Sequence, residues 1–112
     1  VLSFCYVKDI VEGIMALMAS EVSEPINLGS SQAYILGEVA QKIVTMTASE
    51  SKLKYTHKYE YTMQPAIPDI SKAKEELNWF PLVSMDDGLK EAIEYYKATA
   101  FLHKPILDSE EE

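Results

Sequence analysis

The stretch VLSFCYVKDIVEGIMALM, residues 1–18, changes its periodicity half-way along, and that change decides the class of fold. Val1, Leu2, Phe4 and Val7 have the β-branched and aromatic character of a strand. From Asp9 onward Ile10, Val11, Ile14, Leu17 and Met18 recur at helical spacings, which gathers them on one face. Asp9 stands where a carboxylate can cap that helix, so a strand over 3–7 is expected to run into an amphipathic helix over about 9–19. The opening is abrupt, with no initiator Met, polar lead-in or turn before the first apolar residue, and the expectation is that something stands upstream.

Outward from this stretch, Pro25-Ile26-Asn27-Leu28-Gly29 predicts a short buried strand closing on a turn at Gly29-Ser30-Ser31. Leu36, Val39, Ala40, Ile43 and Val44 predict a second helix over about 35–46. Leu53, Tyr55 and His57 alternate with Lys52, Lys54 and Thr56, the pattern of a half-exposed strand. Asp69 is placed to cap a short helix over 70–77, and Asn78 tolerates the left-handed stop that ends it. Ser84 and Asp87 form a shortened capping box for a last helix reaching about Thr99, with Leu89, Ala92, Ile93 and Tyr96 on its buried face. Trp79 and Phe80 form a wedge between the last two helices. The predicted class is α/β: short strands packed with about four helices, without a complete sheet of their own.

A chain of 112 residues, 47% of them hydrophobic, suffices for one small domain. The net charge of −8 and a pI near 4.7 argue against a nucleic-acid backbone or an anionic membrane as partner, since both would repel it. Residues 101–112 end in Asp108-Ser109-Glu110-Glu111-Glu112, a self-repelling run expected to be a solvated, flexible acidic tail. Cys5 is the only cysteine, which excludes an intramolecular disulfide and suits a reducing compartment. Between Phe4 and Tyr6 it is expected to be a packed structural thiol rather than a nucleophile. With no run of about 20 apolar residues and no signal-peptide pattern, the expected location is the cytoplasm.

The usual chemistries lack their residues. A dinucleotide or phosphate cradle needs clustered glycines, and Gly13, Gly29, Gly37 and Gly88 are scattered. His57 and His103 stand in no metal-ligand spacing, and no strained nucleophile turn surrounds Ser30 or any other serine. Asp86 and Asp87 suit the positive end of a helix dipole better than acid/base work. A tyrosine that transfers a proton to a sugar hydroxyl needs a lysine one turn later, and no Tyr here has Lys at the fourth following position. What remains is the loop over 58–68, where Pro65 and Pro68 forbid regular helix and Tyr59, Tyr61 and Gln64 offer polar groups on an extended segment.

The order of motifs is more specific than any one of them. Ser3-Phe4-Cys5-Tyr6-Val7-Lys8-Asp9-Ile10-Val11-Glu12-Gly13, then Pro25-Ile26-Asn27-Leu28-Gly29, then Pro68-Asp69-Ile70-Ser71-Lys72-Ala73-Lys74, then Leu77-Asn78-Trp79-Phe80-Pro81, then Asp87-Gly88-Leu89 resembles the carboxyl-terminal portion of the extended short-chain dehydrogenase/reductases acting on nucleotide sugars, within them most of all the UDP-glucuronate decarboxylases. The resemblance implies a substrate-domain segment over 1–100, preceded in the intact enzyme by a Rossmann half with the glycine-rich NAD loop and a Tyr-x-x-x-Lys pair. It implies that NAD oxidises UDP-glucuronate at C4, that carbon dioxide leaves the resulting β-keto acid, and that the hydride returns to give UDP-xylose. The same motifs are shared by nucleotide-sugar 4-epimerases and 4,6-dehydratases.

By this resemblance the chain alone is expected to be inactive and to bind no NAD, with no catalytic residue of its own. Tyr61 and Gln64 are the candidate contacts to a UDP-sugar, and the implied partners are the missing Rossmann half or a partner chain, with a homodimer possible in the intact enzyme. Two positions depart from the pattern: Leu2 and Ala66 stand where relatives carry arginines that bind the nucleotide sugar. Their loss, with an apolar opening that would be exposed without a Rossmann half, motivates a second reading, a degenerate module that binds a partner chain.

Overall fold

The computed structural model describes residues 2–55, 66–100 and 102, and over these the chain builds four helices. They are α1 (Val7–Met18), α2 (Leu36–Met46), α3 (Ser71–Leu77) and α4 (Met85–Ala98). Each lies within two residues of its expected bounds, because helical periodicity and end signals are written locally. Asn78 takes the left-handed conformation at φ 50°, ending α3 and letting the Trp79 N–H return to the Ala73 carbonyl at 3.2 Å. Ser84 Oγ accepts the Asp87 N–H at 3.1 Å, as the capping-box spacing predicts.

The strands require correction. In place of the strands expected at 3–7, 25–29 and the described part of 52–57, the described residues show extended segments with a single antiparallel bridge, Leu2 to Tyr34. A strand is stabilised by its ladder, and β-prone side chains specify the pleat without supplying the neighbouring edge. Val7 is taken into α1, residues 52–55 are exposed and unpaired among the described residues, and His57 lies outside them.

Asp9 is the second correction. The N-cap position of α1 is Tyr6, which makes no side-chain cap bond, and Asp9 sits inside the first turn with only 2% of its surface exposed. Its Oδ2 accepts the Val83 N–H at 3.0 Å, and its backbone carbonyl accepts the Trp79 indole N–H at 2.9 Å. The residue fastens the 79–83 segment to α1 instead of closing its own helix. Trp79, expected between the last two helices, is accordingly a plug against α1. A Cβ at Gly13 would come within 3.0 Å of both the Trp79 ring and Leu28, so the absent side chain makes room for them.

Helix α1 packs directly on α3, and the buried apolar residues among those described are Val39, Ile70, Ala73 and Trp79. The inward face of α1 carries Asp9, Ile10, Gly13 and Leu17, while Val7, Val11, Ile14, Met15 and Met18 stay exposed.

Asp69 serves the start of α3, its Oδ1 accepting the Ser71 N–H at 2.9 Å and the Ser71 hydroxyl at 2.6 Å. These bonds, the hydroxyl first, hold its carboxyl below the ordinary value of 3.8. A depressed carboxyl stabilises the fold above its unfolded pKa, and that contribution is lost as pH falls through the folded value. In carbon-detected titration the Asp69 midpoint is expected below 3.8, moving back up in Ser71→Ala. An unchanged midpoint in that variant would show that the hydroxyl is not the cause.

Candidate functional site

Three segments far apart in sequence lie side by side. Leu2 and Tyr34 exchange backbone bonds, each N–H donating to the other's carbonyl at 2.7 Å. Ser3 Oγ donates to the Ser30 carbonyl at 2.5 Å, tying the first segment to the turn after Leu28. On the other side of that turn Gly29 approaches Pro68 so closely that a Cβ would lie 3.0 Å from the ring, and Asn27 Nδ2 donates to the Asp69 carbonyl at 3.5 Å. The Pro-Ile-Asn-Leu-Gly motif therefore links the Ser-Phe segment to the Pro-Asp pair, and the close approach to Pro68 is what requires glycine at 29.

Leu2 is half-buried on one side of this turn, and Ala66, exposed, is two residues before Pro68 on the other. The candidate substrate contacts Tyr61 and Gln64 lie outside the described residues, as do His57 and His103. Sequence reasoning identified the motifs but not their adjacency, because nothing local in Gly29 announces Pro68 as its neighbour.

A cavity of about 380 Å³ opens beside the first segment, between Phe4, Cys5, Tyr34, Leu82, Ser84 and Leu89 among others. Phe4 and Tyr34 meet edge to face at 6.4 Å and 65°, and the Tyr34 hydroxyl donates to Gln32 Oε1 at 2.8 Å. Among the described residues no charged side chain lines the cavity, so they suit a neutral, partly aromatic group and offer a diphosphate nothing to pair with. Sequence reasoning missed it, since its walls come from three separate segments.

Cys5 faces this cavity half-buried, its thiol donating weakly to the Tyr6 carbonyl at 3.8 Å. Burial pushes the thiol above its ordinary value of 9.0, and the Asp9 carboxylate pushes it further. Raised this way, the group is a thiol rather than a nucleophile at neutral pH. Its reaction with a disulfide reagent is expected to be at least about tenfold slower than that of free cysteine at the same pH, and to recover in urea. An equally fast folded protein would refute the packed environment.

Two pairs of titratable groups lie on the surface. Asp86 pairs with Lys42 on the surface, and Glu24 pairs with Lys72, which holds the Glu24 carboxyl below its ordinary value. Ser30 Oγ accepts the Gln32 N–H in a local turn. Among the described residues no cluster of His, Cys, Asp and Glu could hold a metal ion. Nor do they fit a dinucleotide: Gly13, Gly29, Gly37 and Gly88 back onto Leu28, Pro68, Tyr55 and Tyr6 respectively, so each is used in packing rather than in a phosphate cradle. No helix among the described residues is long and apolar enough to cross a membrane.

No family model matches the chain. It is 38% identical to UDP-glucuronic acid decarboxylase 1 of Danio rerio over 94 residues, 84% of this chain and 22% of that protein. It is also 38% identical to UDP-glucuronic acid decarboxylase 6 of Arabidopsis thaliana over 87 residues, 78% of this chain and 25% of that one. Among solved structures, UDP-glucose 4-epimerase from Thermotoga maritima with UDP-glucose superposes with a TM-score of 0.81 at 28% identity, covering 88% of this chain and 32% of the other. The Bordetella bronchiseptica enzyme WbmF in complex with NAD+ and UDP does so at 0.77 and 26% identity, covering 97% and 33%. The chain thus spans about a fifth to a third of the length of these relatives. The matches bear out the resemblance to the extended short-chain dehydrogenase/reductases of nucleotide-sugar metabolism and, within them, to UDP-glucuronate decarboxylases.

Proposed function

We propose, from a chain that shares its sequence with UDP-glucuronate decarboxylases and its fold with nucleotide-sugar epimerases, that these residues are the substrate-side portion of an NAD-dependent enzyme converting UDP-glucuronate to UDP-xylose and carbon dioxide. The carrying observation is identity of 33–38% with decarboxylases over most of the chain, whose motif segments the fold brings together. In this reading the turn at 27–30 holds the Ser-Phe segment and the Pro-Asp pair in register, and the loop carrying Tyr61 and Gln64 meets the nucleotide sugar. The cofactor and the proton-transferring pair belong to a nucleotide-binding portion outside these 112 residues.

The test is calorimetric titration of UDP-glucuronate and of NAD, with release of labelled carbon dioxide followed in parallel. The 112-residue chain alone is expected to bind no NAD and to release no carbon dioxide. Combined with a nucleotide-binding portion it is expected to bind UDP-glucuronate in the micromolar range typical of substrates. NAD binding or turnover by the chain alone would overturn the proposal. Retained carboxylate with inversion at C4 would instead favour a 4-epimerase, and inertness toward UDP-glucuronate with loss of water from UDP-glucose would favour a 4,6-dehydratase.

Leu2 and Ala66 favour a second reading, a non-catalytic module that binds a partner, because neither side chain can pair with a diphosphate. Failure of UDP-glucuronate to bind even in the combined protein would select it.

A further inference from the structure

No glycine of this chain has a positive φ, so what glycine supplies at its four positions is the space of a missing side chain. Gly13 and Gly88 give that space to Leu28, Trp79 and Tyr6. Gly29 and Gly37 give it to Pro68 and Tyr55, which stand at the two ends of one segment, 56–67, the segment that carries Tyr61 and Gln64. A Cβ at Gly37 would lie 2.9 Å from the Tyr55 hydroxyl, and one at Gly29 3.0 Å from Pro68 Cγ, both closer than ordinary contact. Glycine in the first turn of α2 is a poor helix former, so Gly37 is explained by Tyr55 and not by its own helix. The backbone of 52–55 forms no pairing among the described residues, so the Tyr55 side chain supplies the hold on this end although the residue is 82% exposed. The other end is held twice, by Pro68 against Gly29 and by the Asp69 carbonyl, which accepts from Asn27 Nδ2.

We infer that Gly29 and Gly37 are positioning residues for the proposed reaction, each seating one end of the 56–67 segment so that Tyr61 and Gln64 meet the nucleotide sugar from two fixed points. The inference rests on the proposed function and deepens it, by naming what holds the substrate-side segment. A segment pinned at both ends has fewer conformations to lose on binding a ligand than one pinned at a single end. The two glycines touch no substrate and act through the segment. Loss of either hold therefore weakens binding of substrate and transition state alike, which raises KM and leaves kcat in place. Gly37 is the sharper case. The atom its Cβ would meet is the free end of a long side chain, so Gly37→Ala swings Tyr55 away without moving α2, and alanine is the better helix former. Stability and substrate affinity then move in opposite directions, which a residue that merely fills the core cannot produce.

The test uses Gly37→Ala and Gly29→Ala, each alone and with the partner change that removes the atom in the way: Tyr55→Phe for the hydroxyl, Pro68→Ala for Cγ. In the 112-residue chain the contacts are read as nuclear Overhauser effects from the Tyr55 ring to Gly37 Hα and from Pro68 Hγ to Gly29 Hα. Both are expected in the parent, lost in the single variants and replaced in the doubles by effects to the new methyl group. The urea midpoint of Gly37→Ala is expected at or above that of the parent. Activity is measured in a chimera in which residues 2–100 replace the matched part of the Danio rerio relative. There each single variant is expected to raise the KM for UDP-glucuronate roughly tenfold with kcat within about twofold, and each partner change to recover most of the loss. Absence of either Overhauser effect in the parent would overturn the inference. So would an unchanged KM in an active chimera, or a lowered kcat at unchanged KM, the mark of destabilisation alone. A chimera inert toward UDP-glucuronate refutes the proposed function and, with both Overhauser effects present, leaves the two anchors standing.

Discussion

Trp79→Ala is expected to remove most of the chain's cooperative folding. Trp79 is one of four buried apolar residues among those described, packs at Gly13, and carries a long-range hydrogen bond to the Asp9 carbonyl. Truncating a buried tryptophan costs about 3–5 kcal/mol. That is a large part of the roughly 5–15 kcal/mol that holds a typical domain together. Urea unfolding followed by far-ultraviolet circular dichroism measures it. Trp79→Phe keeps most of the ring but leaves the Asp9 carbonyl without its donor, so its expected cost is smaller, about 1–3 kcal/mol. A midpoint for Trp79→Ala indistinguishable from the parent would mean that α1 and the 79–83 segment are joined by something else, with the Asp9–Val83 bond the first alternative.

Leu2→Arg with Ala66→Arg is expected to raise affinity for UDP by a large factor. The resemblance implies arginines at both positions, and a charge-assisted bond to a phosphate contributes about 1.5–3 kcal/mol. Each substitution should therefore tighten binding roughly tenfold to a hundredfold at low salt, less as ionic strength rises. The backbone tolerates them: Leu2 is held through its main chain to Tyr34, which any side chain permits, and Ala66 is exposed. Titration of UDP and of uridine against a chimera in which residues 2–100 replace the matched part of the Danio rerio relative separates the cause. Equal gains for both would show that the new cations do not meet the diphosphate, and no gain for UDP would remove the proposed location of the phosphates.

The two residues behind these predictions show different degrees of legibility. Leu2 and Ala66 could be singled out from the motif order alone. Asp9 could not be assigned its role, because an acid at a strand-helix junction signals a cap, and only the arrival of Trp79 and Val83 from 70 and 74 positions away turns it into a fastening. Strands expected at 3–7 and 25–29 are absent from the described residues for a related reason: side-chain preference for extended backbone is local, whereas the ladder that makes a strand is not.

By itself the sequence determined the four helices, their stops at Asn78 and their start at Ser84, and the ordered motifs that relate the chain to nucleotide-sugar enzymes. These depend on periodicity, on caps within three residues, and on residue order. Only the tertiary structure decided that Gly13 and Gly29 make room for Trp79 and Pro68, that Cys5 borders a cavity, and that α1 keeps an apolar stripe outward. Each of those depends on which distant segment comes to lie alongside, and burial is a property of the neighbour as much as of the residue.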